Sequence, residues 1–62
     1  MPVVTIKLFE GRTREQKAEL AKRITDDIVE VMGAAADHTW VFFEDSARSD
    51  VAIAGELQDD VS

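Results

Sequence analysis

The chain has no cysteine, one histidine, one proline and only seven lysines and arginines among its 62 residues. Without cysteine there is no disulfide, no thiolate nucleophile and no cysteine-ligated zinc. The lone histidine, His38, is too little for a histidine-rich metal cluster, so neither a metal nor a cofactor is expected. Thirteen acidic residues give a formal net charge of −6, and the pI is near 4.5. That balance excludes the basic face that nucleic acids and anionic membranes require. No apolar run approaches the roughly 20 residues of a membrane-spanning helix, and no signal-peptide pattern precedes the first apolar segment. The expectation is a cytoplasmic protein. The shortage of cations also sharpens each one: a lysine or arginine turned into a pocket would select an anionic ligand against the overall field.

What is present suffices for one small domain spanning residues 1–62. The apolar share of 45% is ordinary for a globular chain and too high for a disordered one. A chain this short buries only about 60% of its unfolded surface and is marginal alone. Small scaffolds are held by disulfides, metals or association, and here association is what remains.

The single proline is Pro2, directly after Met1. If Met1 is removed, the chain starts with a secondary amine held on a rigid ring, a group suited to moving protons or attacking carbonyls. Retained Met1 would turn the same nitrogen into an amide without a usable lone pair. From Pro2 the sequence enters an alternating segment: Val4, Ile6 and Leu8 interleave with Val3, Thr5, Lys7 and Phe9, the period of a strand. Both faces are largely apolar, so the strand is expected to be covered on both sides. Glu10-Gly11-Arg12 ends it, with Gly11 free to turn.

Thr13 and Gln16 fit a capping box opening a helix from about Arg14 to Met32. Its apolar stripe reads Leu20, Ala21, Ile24, Ile28, Val31 and Met32. Glu19 with Arg23, Lys22 with Asp26 and Arg23 with Asp27 stand at i,i+4 on the other side. Those charges are read as a solvated face, which makes Asp26-Asp27 a poor acid–base pair. Gly33 takes the helix C′ position, and 34–37 form a short connection. A second strand spans Thr39–Phe43. Residues 44–50 read as a polar loop, Val51 to Gly55 as a short apolar piece compatible with a small hairpin, and 56–62 as an acidic tail. Strand, helix, strand makes a βαβ unit with parallel strands and a right-handed crossover. The fold class is thus α/β (α+β), a single βαβ unit plus a short C-terminal hairpin. One helix covers one face of the sheet, and the bulky residues on the other mark an association surface.

These residues together resemble the small-subunit tautomerases typified by 4-oxalocrotonate tautomerase. Pro2 after Met1, the Leu8-Phe9-Glu10-Gly11-Arg12 turn, Glu15-Gln16-Lys17 opening the helix and Ile53-Ala54-Gly55-Glu56-Leu57 carry the likeness over nearly the whole chain. The resemblance implies a homohexamer, a trimer of dimers. It also implies that Pro2 acts as base on a small anionic keto or enol acid, while Arg12, supplied by a neighbouring subunit, grips a carboxylate. A secondary amine serves as base at neutral pH only if its pKa is lowered, by an apolar pocket or by nearby cations; Val3, Phe9, Trp40 and Arg12 are the residues available.

The departures from the family matter as much. Where its best-known members carry a second catalytic arginine, this chain aligns Trp40, which offers an aromatic wall and one N–H donor but no charge. The family's pocket phenylalanine aligns with the smaller Val51. Arg48, in the nearby loop, is a candidate replacement cation whose alternative is simple solvent exposure. Ile53 stands where dehalogenating relatives have a water-activating glutamate, which disfavours that chemistry. The leading expectation is therefore an isomerase, a tautomerase of 2-hydroxy-dienoates or 2-keto acids, with Pro2 catalytic and Arg12, Trp40 and Val51 lining the substrate site. The alternatives are hydratase or decarboxylase chemistry through the same amine, or a non-catalytic subunit of a hetero-oligomer.

Overall fold

Alternation sets the first element. In the computed structural model, which describes residues 2–59, β1 spans Val3–Phe9. Val4, Ile6 and Leu8 are half-buried under the helix, and Val3, Thr5 and Lys7 point to the opposite, open face. The removal of Met1 and the end of the acidic tail, residues 60–62, lie outside the described residues.

Gly11 turns the chain at φ 126°, a value costly for any residue with a Cβ. Helix α1 covers Arg14–Met32, with the expected bounds, and both hydrogen bonds of the capping box form: Gln16 N–H donates to Thr13 Oγ1 at 3.0 Å, and Thr13 N–H donates to Gln16 Oε1 at 2.9 Å. Gly33 closes the helix in the left-handed conformation, its N–H donating to Val29 C=O.

The helix face differs in part from the expected stripe. Its half-buried positions are Lys17, Ala21, Ile24, Thr25 and Ile28, whereas Leu20, Val31 and Met32 are exposed. Length explains the last turn. Nineteen helical residues reach about 28 Å at 1.5 Å each, while a seven-residue strand covers about 23 Å at 3.3 Å each, so Val31 and Met32 outrun the sheet. On the solvent side Arg23 pairs with Glu19, and Lys22 with Asp26, each at 2.8 Å. The third expected pair, Arg23 with Asp27, does not form, because Glu19 takes the guanidinium.

A short 3-10 turn, Ala36–His38, delivers the chain to β2, Trp40–Ser46. β2 pairs parallel to β1 from Val3↔Trp40 to Phe9↔Ser46. The strand therefore continues through Glu44, Asp45 and Ser46, which the sequence reading placed in a loop. Their polarity is accommodated by position. Glu44 lies across from Lys7, Asp45 pairs with Lys17 of α1 at 2.6 Å, and Ser46 C=O accepts from Glu10 N–H at 3.0 Å. After a second 3-10 turn, Arg48–Asp50, β3 (Ala52–Ile53) and β4 (Glu56–Leu57) make an antiparallel hairpin. The hairpin thus takes in Glu56 and Leu57, which had been assigned to the tail. Ala54 and Gly55 both have positive φ, the two-residue arrangement that matches strand twist.

None of the described residues is fully buried. On the open sheet face Val3, Trp40 and Phe42 are 56%, 49% and 47% exposed, so the expected cover on both sides is absent within one chain. The radius of gyration is 14.9 Å, against about 11 Å for a compact chain of this length.

Candidate active site

The parallel pairing separates the expected site residues between the two ends of the sheet. Pro2 sits half-buried just before β1, and its carbonyl accepts a hydrogen bond from Trp40 N–H at 3.0 Å. The start of β2 is thereby tied to the start of the chain. Trp40 stands beside Val3 on the open face, its indole 6.1 Å from the Phe42 ring, centroid to centroid, at an interplanar angle of 48°. Pro2, Val3, Trp40 and Phe42 make an apolar, aromatic corner at this end of the sheet, about half exposed in the single chain.

Arg12 lies at the other end. It follows the turn after β1 and lines a crevice of about 290 Å³ with Leu8, Gln16, Lys17, Leu20 and Phe43. Seven strand residues separate it from Pro2, about 23 Å of extended chain, so one copy cannot bring both to one small substrate. Lys17, the other cation of the crevice, is already held by Asp45. Arg12 forms no ion pair among the described residues.

Val51 is at the same end as Arg12. It lines a second hollow, about 440 Å³, with Lys7, Leu8, Phe9 and Ser46. The Arg12 crevice lies on the helix side of the sheet, with Leu8 and Phe43, whereas Lys7, Phe9 and Ser46 place this second hollow toward the open face. Arg48 lies directly before this segment, and its guanidinium carbon is 4.3 Å from the centroid of the Phe9 ring, a cation–π stack. The sequence expectation of simple solvent exposure for Arg48 is therefore incomplete: the side chain is exposed but has a platform. Trp40 and Val51, both expected to line the substrate site, stand at opposite ends of the sheet in one chain.

Two features escaped the sequence reading. The Lys17–Asp45 pair was hidden because Asp45 looked like a loop residue. The Arg48–Phe9 stack joins residues far apart in sequence, and nothing local signals it. His38, in its 3-10 turn, is exposed, as is Ile53 on β3. Among the described residues no cluster of three or more potential metal ligands occurs, and no helix is long and apolar enough to cross a membrane.

The family model described as tautomerase enzyme matches residues 2–60. A 2-hydroxymuconate tautomerase of Bacillus subtilis is 39% identical over 61 residues, covering 98% of each chain. Among solved structures, the 4-oxalocrotonate tautomerase homologue YwhB superposes with a TM-score of 0.89 at 38% identity, covering 98% of this chain and 100% of that one. A second homologue of the same enzyme, TTHB242, gives 0.93 at 31% identity, with 100% and 98% coverage.

Proposed function

This chain belongs to the tautomerase family and is an isomerase, and from that premise we propose that it shifts a proton on a small 2-hydroxy-dienoate or 2-keto acid, with Pro2 as base. After loss of Met1, the Pro2 nitrogen takes the enol hydroxyl proton or an α-carbon proton. It returns that proton to another carbon of the conjugated system, so substrate and product are isomers and no co-reactant is consumed. Arg12 binds a substrate carboxylate with two parallel hydrogen bonds and so fixes the reacting carbons. Trp40 and Val51 form apolar walls, and exclusion of water around the proline favours its neutral form.

The observation that carries this reading is the division of the site. Pro2 and Arg12 stand at opposite ends of β1, and the sheet between them leaves a bulky apolar face open. Stacking copies through that face covers it and lets the Arg12 end of one chain meet the Pro2 end of another. A homohexamer working on a small anionic acid in the cytoplasm fits these features. The test follows ketonisation of 2-hydroxymuconate by ultraviolet absorbance, on protein whose intact mass shows loss of Met1. Product of unchanged mass is expected. A gain of water or a loss of carbon dioxide would instead assign hydratase or decarboxylase chemistry, and no reaction by Met1-free protein would overturn the proton-transfer reading.

A further inference from the structure

The open face of the sheet is not uniform along its length. β1 gives it Val3, Thr5, Lys7 and Phe9, and β2 gives it Trp40, Phe42, Glu44 and Ser46. Lys7 and Glu44 are the two charged residues of that set, one of each sign, and they are neighbours in the strand register. Both are exposed, and no ion pair joins them among the described residues. At the other end Val3, Trp40 and Phe42 are about half exposed, an apolar surface of the kind that association covers. Covering it draws Lys7 and Glu44 out of water as well, and a covered charge without a partner is strongly destabilising.

We propose that Lys7 of one copy pairs with Glu44 of the copy stacked on its open face, and that this pair decides which chains assemble with this one. The occupant is a second copy because the face is complementary to itself: one cation and one anion meet one anion and one cation, beside apolar surface that meets apolar surface. The spacing allows it. Stacked sheets lie about 10 Å apart, and a strand rises about 3.3 Å per residue. Lys7 stands one residue past Ile6, the midpoint of Val3–Phe9. Two sheets stacked in opposite directions, as a meeting of Arg12 and Pro2 ends requires, therefore hold Lys7 of one and Glu44 of the other about 7 Å apart along the strands. Extended lysine and glutamate side chains together span that offset. Other charges near the strands have partners of their own: Lys17 and Asp45 satisfy each other on the helix side, and Arg48, past the end of β2, lies on the Phe9 ring. A chain of the same shape with another order of charges would set like against like and be rejected. Because one chain's Arg12 end completes another's Pro2 end, the pair also selects the chain that completes the site. The proposal rests on assembly through the open face and adds the residues by which a copy recognises its own kind.

The test co-expresses wild type carrying a C-terminal affinity tag with an untagged second chain, and measures by intact mass how much of the second chain is captured. Untagged wild type should be captured freely. The untagged double variant Lys7→Glu/Glu44→Lys, with both charges exchanged, should assemble with itself as wild type does. Tagged wild type should nevertheless capture it at least about tenfold less, because every contact between the two chain types sets like charges together. Pairing confined within each chain would leave mixing unchanged, so the experiment separates the two cases. The single variants Lys7→Glu and Glu44→Lys should each need at least about tenfold more protein to assemble in sedimentation, and mixing the two should recover part of that loss. Free capture of the exchanged chain by wild type would overturn the proposal, as would single variants that assemble like wild type or an exchanged chain that fails to assemble alone. Those results leave assembly of copies standing. Failure of tagged wild type to capture untagged wild type would instead discard assembly itself, and the proposal with it.

Discussion

The backbone N–H of Trp40 donates to the carbonyl oxygen of Pro2 at 3.0 Å. This bond lies one step beyond the Val3↔Trp40 pair that opens the parallel ladder, so the ladder itself holds Pro2. Only the carbonyl of Pro2 is used. Inside a chain a proline nitrogen has no N–H to offer a sheet; freed by loss of Met1 it is a secondary amine, and the ladder bond is made through the carbonyl. Placement by the ladder and freedom of the nitrogen are what a terminal amine base needs.

Pro2→Ala should therefore separate chemistry from fold. The alanine carbonyl can still accept from Trp40 N–H, so the variant should assemble and melt like wild type. Its primary amine differs in basicity and direction, and kcat for enol ketonisation should fall about a hundredfold, within the usual range for a displaced general base. Protein retaining Met1 should be inactive for a different reason, since its Pro2 nitrogen is an amide. Full activity in a preparation whose intact mass includes Met1 would refute the assignment of Pro2 as base.

Assembly should be inseparable from folding. Val3, Trp40 and Phe42 leave the open sheet face about half exposed, and no described residue is buried, so a single chain has little core of its own. Sedimentation at micromolar concentration should show a hexamer, and dilution should lower the melting temperature, as expected when only the assembled state is stable. Phe42→Glu puts a charge on that face without touching the helix side, and should yield dissociated, largely unfolded chains. A folded monomer of wild type or of Phe42→Glu would contradict this account.

The parts of this fold that could be read from sequence are those with local chemistry. Thr13 and Gln16 cap one another, Gly33 supplies the left-handed stop, and the helix between them has the bounds the sequence predicts. The end of β2 was not legible, because what keeps Glu44, Asp45 and Ser46 in a strand lies elsewhere: Lys7 across the sheet, Lys17 on the helix and Glu10 after the first strand. The site follows the same rule. Pro2 and Arg12 stand out by residue type and motif, while the resting place of Arg48 depends on a Phe9 ring in another strand. Val31 and Met32 fit the helical period yet miss the sheet, since periodicity reports direction around a helix and not the length of what it packs against.

Asp45→Asn should measure how far the Lys17 pair supports the packing of helix on sheet. The two side chains are 26% and 37% exposed, so solvent screens the attraction and the loss should be about 0.5–1 kcal/mol. Chemical denaturation at a fixed chain concentration would detect it as a lower midpoint with unchanged slope. Activity should change little, because Lys17 borders the Arg12 crevice but donates to Asp45 rather than into it. A large rise in KM with unaltered stability would show instead that freeing Lys17 disturbs carboxylate binding by Arg12.

Trp40→Arg tests what the aromatic residue does beside the proline. Position 40 adjoins Val3 on the open face, and its N–H is bonded to the Pro2 carbonyl, so an arginine there brings a permanent cation near the amine. A like charge disfavours the protonated amine and lowers its pKa. Activity that requires the neutral amine then persists to lower pH, so the acid limb of kcat/KM should move down by a fraction of a unit up to about one unit, as for a partly screened charge. Diacid turnover should rise by about tenfold or more, because arginine at position 40 adds a second cation to a site for which the sequence offers one evident cation, Arg12. Phenylenolpyruvate should instead lose ground, since its ring no longer has an indole to pack on. Rates on both enols from pH 5 to 9, for wild type and Trp40→Arg, check the three statements together. An acid limb that stays in place would show that residue 40 does not influence the proline electrostatically. No diacid gain would show that the second carboxylate already has a partner elsewhere in the assembled site.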